Sequence, residues 1–321
     1  MKLENFDDIL EETIRRLSSL TPKELLGYAI EMEDSEARTY SRLAEVVERL
    51  SLRALFIKMS TECRNHERGL RALFQQLYPG EDVPKVDVPT VEAFEIPEDR
   101  TDYLGILECC MASELLSKRT YESLASVATD EEVRKLALAL ERIEEGHYEE
   151  LKTVHELMTA LEERGINPRD LKPGSYLFTD SKKARYFLMD FLGWDRSVFA
   201  LIHENPRCFL DMFSGRVSQV LWVSKIRADY KVETIHPIDV PRVKKRIKQF
   251  VDEFTGGRGV VLVENLGYLA TELGFRGMFD FVLYLKDLVT LNGCYLIATA
   301  FPDAFEKREW NLLTSELELI S

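Results

Sequence analysis

The chain has 321 residues, 45% of them hydrophobic and 31% charged, with 56 acidic side chains against 42 Lys and Arg. That length suits two domains with a core each, and a formal charge of −14 argues against nucleic acid as the main ligand. Five cysteines with no CxxC pair exclude a disulfide framework and a CxxC-built metal site.

The apolar runs fall short of the roughly 20 residues that a membrane-spanning helix needs. The N-terminus, MKLENFDDILEE, lacks the apolar stretch of a secretory signal, so the expected setting is the reducing cytoplasm. An amphipathic helix is expected near 4–19, with Phe6, Ile9, Leu10, Thr13 and Leu17 on one face for packing or subunit contact. Thr21-Pro22-Lys23-Glu24 is a helix start, with Thr as cap, Pro at the first helical position and Glu24 completing a capping box. Proline-free stretches rich in Leu, Glu, Ala and Arg follow on either side of a Pro-containing segment. They predict four long helices, near 22–49, 52–77, 100–128 and 131–164, arranged as two hairpins. Residues 79–97 are the expected crossover along a bundle.

The composition changes near residue 172. Residues 1–172 carry 37 acids and 23 Lys and Arg, a net of −14, whereas residues 173–321 carry 19 of each. Short apolar runs (SYLF at 175–178, VFALI at 198–202, VLWV at 220–223, VVLV at 260–263, YLIATA at 295–300) then alternate with amphipathic segments near 181–192, 205–213, 239–254, 276–291 and 303–315. This alternation predicts a mostly parallel sheet covered by helices on both faces. The expected architecture is an all-α four-helix bundle over 1–172, followed by an α/β domain over 173–321.

An internal repeat carries the chemistry. RTYSRLAEV at 38–46 and RTYESLASV at 119–127 agree at six of nine positions, at an offset of 81. The offset also pairs Glu33 with Glu114, Tyr40 with Tyr121, Arg53 with Arg134 and His66 with His147. Glu33 and Tyr40 lie two turns apart on one helix face, as do Glu114 and Tyr121, among apolar neighbours. A carboxylate on an apolar face is costly unless it is paired or binds a metal. Glu144 and His147 form the inward-facing Glu-x-x-His unit of dinuclear carboxylate bundles. Carboxylate oxygens plus an imidazole per ion suit iron or manganese, and tyrosine hydroxyls suit the carboxylates as donors.

EMEDSEARTYSRLAE (31–45), CRNHE (63–67), SELLSKRTYESLA (113–125) and ERIEEGHYEE (141–150) together resemble the rubrerythrin branch of the ferritin-like superfamily, over residues 22 to 164. The resemblance implies iron ligands at Glu33, His66, Glu114, Glu144 and His147, with Tyr40 and Tyr121 as donors behind them. One ligand of the family pattern is missing: three residues before His66 stands Cys63, not Glu. Glu62 is adjacent and stands i, i+4 to His66, although one residue rotates about 100° around the helix. Glu36 faces inward with Glu33 and Tyr40, and its counterpart on the third helix is Ser117, where rubrerythrins carry an additional acid. Glu36 is therefore the expected replacement carboxylate. Cys63 is left open as a thiolate ligand, a redox thiol or a small buried side chain.

The resemblance implies two iron ions, with manganese or a mixed pair as alternatives. It implies an oxidoreductase that reduces peroxide, or oxidises iron with dioxygen or peroxide. Electrons would come from a separate donor such as a rubredoxin-like protein, and the chain would form a homodimer. The rival expectation is a non-catalytic metal-binding sensor or scaffold whose C-terminal domain mediates partner interaction. That second half resembles an uncharacterised, mainly archaeal domain family, through GVVLVENLGYLATELGF (259–275), FVLYLKDLVTLNGCYLIATAFPDAF (281–305) and EWNLLTSEL (309–317). It lacks the phosphate-binding loop GxxxxGK[ST]. The basic run RVKKRIKQF (242–250) reads as the solvated face of a helix.

Overall fold

The computed structural model describes residues 12, 13, 15–17, 19–88, 101–192, 196–213, 217–226 and 232–321. The chain divides into two compact units, Met1–Met158 and Thr159–Ser321. Most of the helix expected near 4–19 and the latter part of the crossover lie outside the described residues. Thr13 and Leu17, from the expected apolar face, are buried.

The first unit is built on four helices: α1 (Pro22–Val46), α2 (Leu50–Leu77), α3 (Tyr103–Val127) and α4 (Glu131–Glu163). The capping box forms as its residues dictate. Glu24 N–H donates to the Thr21 hydroxyl at 3.3 Å, and Thr21 N–H donates to the Glu24 carboxylate at 2.8 Å. Extended backbone at Val47 and Arg49 reverses the chain between α1 and α2, and the Arg53 guanidinium closes that turn on the Val47 carbonyl at 3.0 Å. Its repeat counterpart, Arg134, pairs instead with Glu131 at 2.9 Å. Tyr28, Phe74, Leu116 and Leu124 form part of an apolar core, which Tyr121 joins to a buried polar layer through its hydroxyl.

The second unit is a seven-stranded sheet in the order β4-β3-β2-β5-β6-β1-β7, and its described strand pairs are all parallel. The strands are β1 (Gly174–Phe178), β2 (Ser197–Ile202), β3 (Gln219–Val223), β4 (Glu233–Ile235), β5 (Gly259–Val263), β6 (Tyr295–Thr299) and β7 (Glu318–Leu319). The helices are α5 (Ser181–Leu192), α6 (Pro206–Phe213), α7 (Val240–Glu253), α8 (Leu266–Asn292) and α9 (Lys307–Glu316). The central strands β5 and β6 are buried along their whole length, as expected of a parallel sheet with both faces covered.

The helix expected over 276–291 begins ten residues earlier, at Leu266. It breaks at Gly274, whose φ of 70° and ψ of 156° are open to glycine and costly to other residues. The basic stretch lies on α7 with Val243, Ile247 and Phe250 buried. Its Arg242 and Arg246 both pair with Glu233, at 2.6 and 2.7 Å.

From β2 the chain proceeds toward β3 on one side, and from β5 toward β6 on the other. The boundary between β2 and β5 is therefore the switch point at which parallel sheets usually hold ligands. Here a buried ion pair fills it. Arg185 of α5 donates through Nε and Nη2 to both oxygens of Glu264, which follows β5, at 2.6 and 2.7 Å. It also reaches Glu204, just after β2, at 2.9 Å.

Candidate metal centre

The polar layer of the first unit collects the repeated residues. Glu33 and Glu36 come from α1, Cys63 and His66 from α2, Glu114 from α3, and Glu144 and His147 from α4. The four carboxylates and Cys63 have no solvent exposure, and His147 is 4% exposed. Each hairpin supplies a helix with Glu and Tyr on one face and a second helix with His, so pairing the hairpins stacks the two sets about an approximate twofold.

The repeat is visible atom by atom. Tyr121 donates its hydroxyl to Glu33 Oε1 and Tyr40 donates to Glu114 Oε1, each across to the opposite hairpin. The second oxygen of each carboxylate faces a histidine of its own hairpin. Glu33 Oε2 lies 3.3 Å from His66 Nδ1, and Glu114 Oε2 lies 3.3 Å from His147 Nδ1. The two imidazoles stack with centroids 6.0 Å apart. Burial, then the charge of the carboxylate each one serves, pushes both tyrosine hydroxyls well up, so they remain donors.

Glu144 stands between the halves. Its Oε2 is 3.4 Å from His147 Nδ1 and its Oε1 is 3.9 Å from His66 Nδ1, so its contact with His147 is long and shared with Glu114, and neither buried oxygen has a well-formed hydrogen bond. A fully buried carboxylate without donors is costly. A cation reached by both oxygens removes that cost. Three groups of buried or half-buried ligand atoms converge within 4.8 Å of one another: Glu33, His66 and Glu144; Glu114, Glu144 and His147; and Glu33, Glu36 and Cys63. The first two share Glu144. Carboxylates with one imidazole apiece are the donor set of a dinuclear iron or manganese site, and the orphaned Glu144 oxygens fit it.

Glu36 is turned inward, as its spacing predicts. Its Oε1 accepts from the hydroxyls of Ser113, at 3.1 Å, and Ser117, while its Oε2 stands 3.9 Å from Cys63 Sγ. The serine at the position where the repeat lacks an acid thus holds the acid supplied from the opposite hairpin. Without a cation, protonation is favoured at two of the carboxylates, Glu36 and Glu144. Burial, then the charges of Glu114 and Glu33, pushes Glu36 well above the usual carboxylate range. Burial and the Glu114 charge do the same to Glu144. Glu114 ends below its ordinary value, because its bond to His147 and that ring's charge outweigh a larger burial effect acting alone. His147 is raised by the same contacts against its own burial.

Glu62 stands apart from the ligand groups. Its half-exposed carboxylate accepts from His147 Nε2 at 3.0 Å, on the far side of the ring from Glu114 and Glu144. Once a cation displaces the Nδ1 proton, this bond holds the remaining proton on Nε2 and leaves Nδ1 as the ligand atom. Spacing pointed Glu62 at His66; its partner is 85 positions away and no local pattern announces it. Glu62→Gln should weaken the ion that His147 holds by about 10–100-fold while leaving the fold intact. Competitive metal titration with a coloured chelator measures this, and unchanged affinity would remove Glu62 from the site.

The family model described as Rubrerythrin matches residues 24–155, and the model described as a protein of unknown function, DUF835, matches residues 177–317. The chain thus contains a Rubrerythrin domain match followed by a DUF835 domain match. The ferritin-like bundle and the parallel-sheet domain correspond to these two matches. The rubrerythrin family implies a metal centre, and the convergent carboxylate and histidine groups support a di-iron protein. Among solved structures, a hypothetical protein from Pyrococcus furiosus is 27% identical over 46% of this chain and 95% of its own, with a TM-score of 0.40. No curated protein matches the chain. No helix among the described residues is long and apolar enough to cross a membrane.

Proposed function

We propose that the chain is a rubrerythrin-like di-iron oxidoreductase that reduces peroxide, or oxidises iron with dioxygen or peroxide. The observation that carries this reading is the pair of histidine–carboxylate groups sharing one orphaned carboxylate, Glu144. Glu33, Glu36, His66, Glu114, Glu144 and His147 would hold the ions, which when bound supply electrons and open coordination positions to the oxidant.

The remaining chemistry belongs to the chain itself. Tyr40 and Tyr121 hold one oxygen of Glu114 and Glu33, leaving the other oxygen aimed at its histidine. Glu62 takes the Nε2 proton of His147 in a hydrogen bond and turns Nδ1 inward. Burial of the four carboxylates keeps bulk water from competing for the ligand atoms. In this reading electrons would come from a separate donor, such as a rubredoxin-like protein in the cytoplasm, and the chain would work as a homodimer.

The test is metal analysis of the purified chain, followed by rapid-mixing oxidation of the reduced protein with peroxide. Two irons per chain and rapid oxidation are expected. Fewer than one metal per chain with no oxidation would instead favour a sensor or scaffold.

A further inference from the structure

We propose that Cys63 is a metal ligand, binding through its thiolate the ion that Glu33 holds, so that one position of the centre is sulfur-bearing and the other is not. The proposal rests on the metal-centre reading above and deepens it. Three features of the chain lead to it.

The first is register. Cys63 is the repeat counterpart of Glu144, since 144 minus 81 is 63, and it stands three residues before His66 as Glu144 stands three before His147. Residues three apart share a helix face, so the Cys63 side chain enters the same layer as the histidine. The second is environment. Cys63 has no solvent exposure, and its sulfur converges with oxygens of Glu33 and Glu36 within 4.8 Å. A thiol serving only as packing is a small hydrophobe that gains from apolar neighbours; here it faces buried carboxylates. Glu36 is arranged to match, because Ser113 and Ser117 occupy its Oε1 and leave Oε2 toward the sulfur.

The third is the carboxylate of Glu144, fully buried with no well-formed hydrogen bond and only a long contact, at 3.4 Å, to His147. It converges with Glu33 and His66. Glu33 therefore belongs both to the group that needs a cation and to the group that contains the sulfur. Glu33 is the residue common to the two groups, so the ion it holds is the one beside which the sulfur stands.

Ligand softness gives the consequence. Thiolate with imidazole and carboxylate suits Fe²⁺, Co²⁺ or Zn²⁺, whereas a set of carboxylate oxygens also suits Mn²⁺. The Glu33 position should discriminate against manganese, and the Glu114 position, built from Glu114, Glu144 and His147, should not.

The metal-free full-length chain is titrated with Co²⁺ under anaerobic conditions, and the near-ultraviolet absorption is followed. Wild type should develop an intense sulfur-to-cobalt charge-transfer band, which Cys63→Ser loses; the other four cysteines are the internal control. Loss of a direct ligand should weaken binding of that ion by at least about tenfold, the lower end of what outer partners cost. Cys63→Glu restores the carboxylate of the repeat. It should bind the same number of cobalt ions without the band and bind Mn²⁺ about tenfold or more tightly than wild type does. Cobalt binding by wild type without the band, or with a band that survives in both variants, overturns the role of Cys63 alone. No cobalt binding by wild type overturns the metal centre itself.

Discussion

Metal-free Glu144→Leu protein should be more stable than metal-free wild type, by about 1–3 kcal/mol, the cost of a buried polar group without partners. Leucine fills comparable space on α4 and needs no donors. Urea denaturation of both proteins after chelation measures the difference. The gap should widen as pH rises from the ordinary glutamate value of 4.5, because the folded state raises the Glu144 pKa. A raised folded-state pKa contributes stability at low pH that is lost as pH climbs through it.

Metal should then invert the ranking. A ligand at 1,000 times its dissociation constant stabilises wild type by about 4 kcal/mol, whereas the variant, lacking the residue common to both histidine groups, gains far less. Wild type that remains the more stable protein after complete chelation would mean that Glu144 is satisfied without a cation. The inversion distinguishes a carboxylate retained for binding from one retained for folding.

Arg185→Met should cost the second unit about 3–5 kcal/mol, since it leaves Glu264 buried without its cation. The Glu264 side chain is 1% exposed and its two oxygens accept from Nε and Nη2 of the guanidinium. Burial already raises the Glu264 pKa despite that partner, so losing Arg185 makes the charged form harder still to hold. The double substitution Arg185→Met with Glu264→Leu should recover most of the loss, because a buried ion pair replaced by apolar residues is often neutral or stabilising. Thermal unfolding of the two variants tests the pair. If the single and double variants are equally unstable, Arg185 matters through packing, including its position over the Phe209 ring, and not through charge.

The repeat made most of the bundle and its polar layer legible before any coordinates. Glu33, Tyr40, His66 and their counterparts are short-range signals: fixed spacings on a helix, copied once at a constant offset. What escaped depends on contacts between elements. Ser117 could be read only as a missing acid, yet it holds Glu36 from the opposite hairpin. Glu62 meets His147, a pairing created by helix packing and not by helical period. In the second half, β4 has three residues and β7 two, too few for a run or an alternation to register. The start of α8 was obscured because its first turns hold Gly267 and Gly274, which weaken a helical pattern even where the chain is helical. Parallel pairing, by contrast, followed from the spacing of apolar runs and connecting helices.

The crossed tyrosine bonds have a consequence for how such a protein can arise and be rebuilt. Each hairpin carries the hydroxyl that braces the other's carboxylate, so a hairpin is a half-site with its own complement. The α3–α4 hairpin retains the whole unit, with Glu114, Tyr121, Glu144 and His147; two copies related by a twofold would supply four carboxylates, two imidazoles and both crossed hydroxyls. The α1–α2 hairpin no longer can, because Cys63 replaces one carboxylate and Glu36 needs a serine from its neighbour. One half of the bundle thus carries a complete set of donors for a symmetric pair, and the other completes its own set only with a serine from that half.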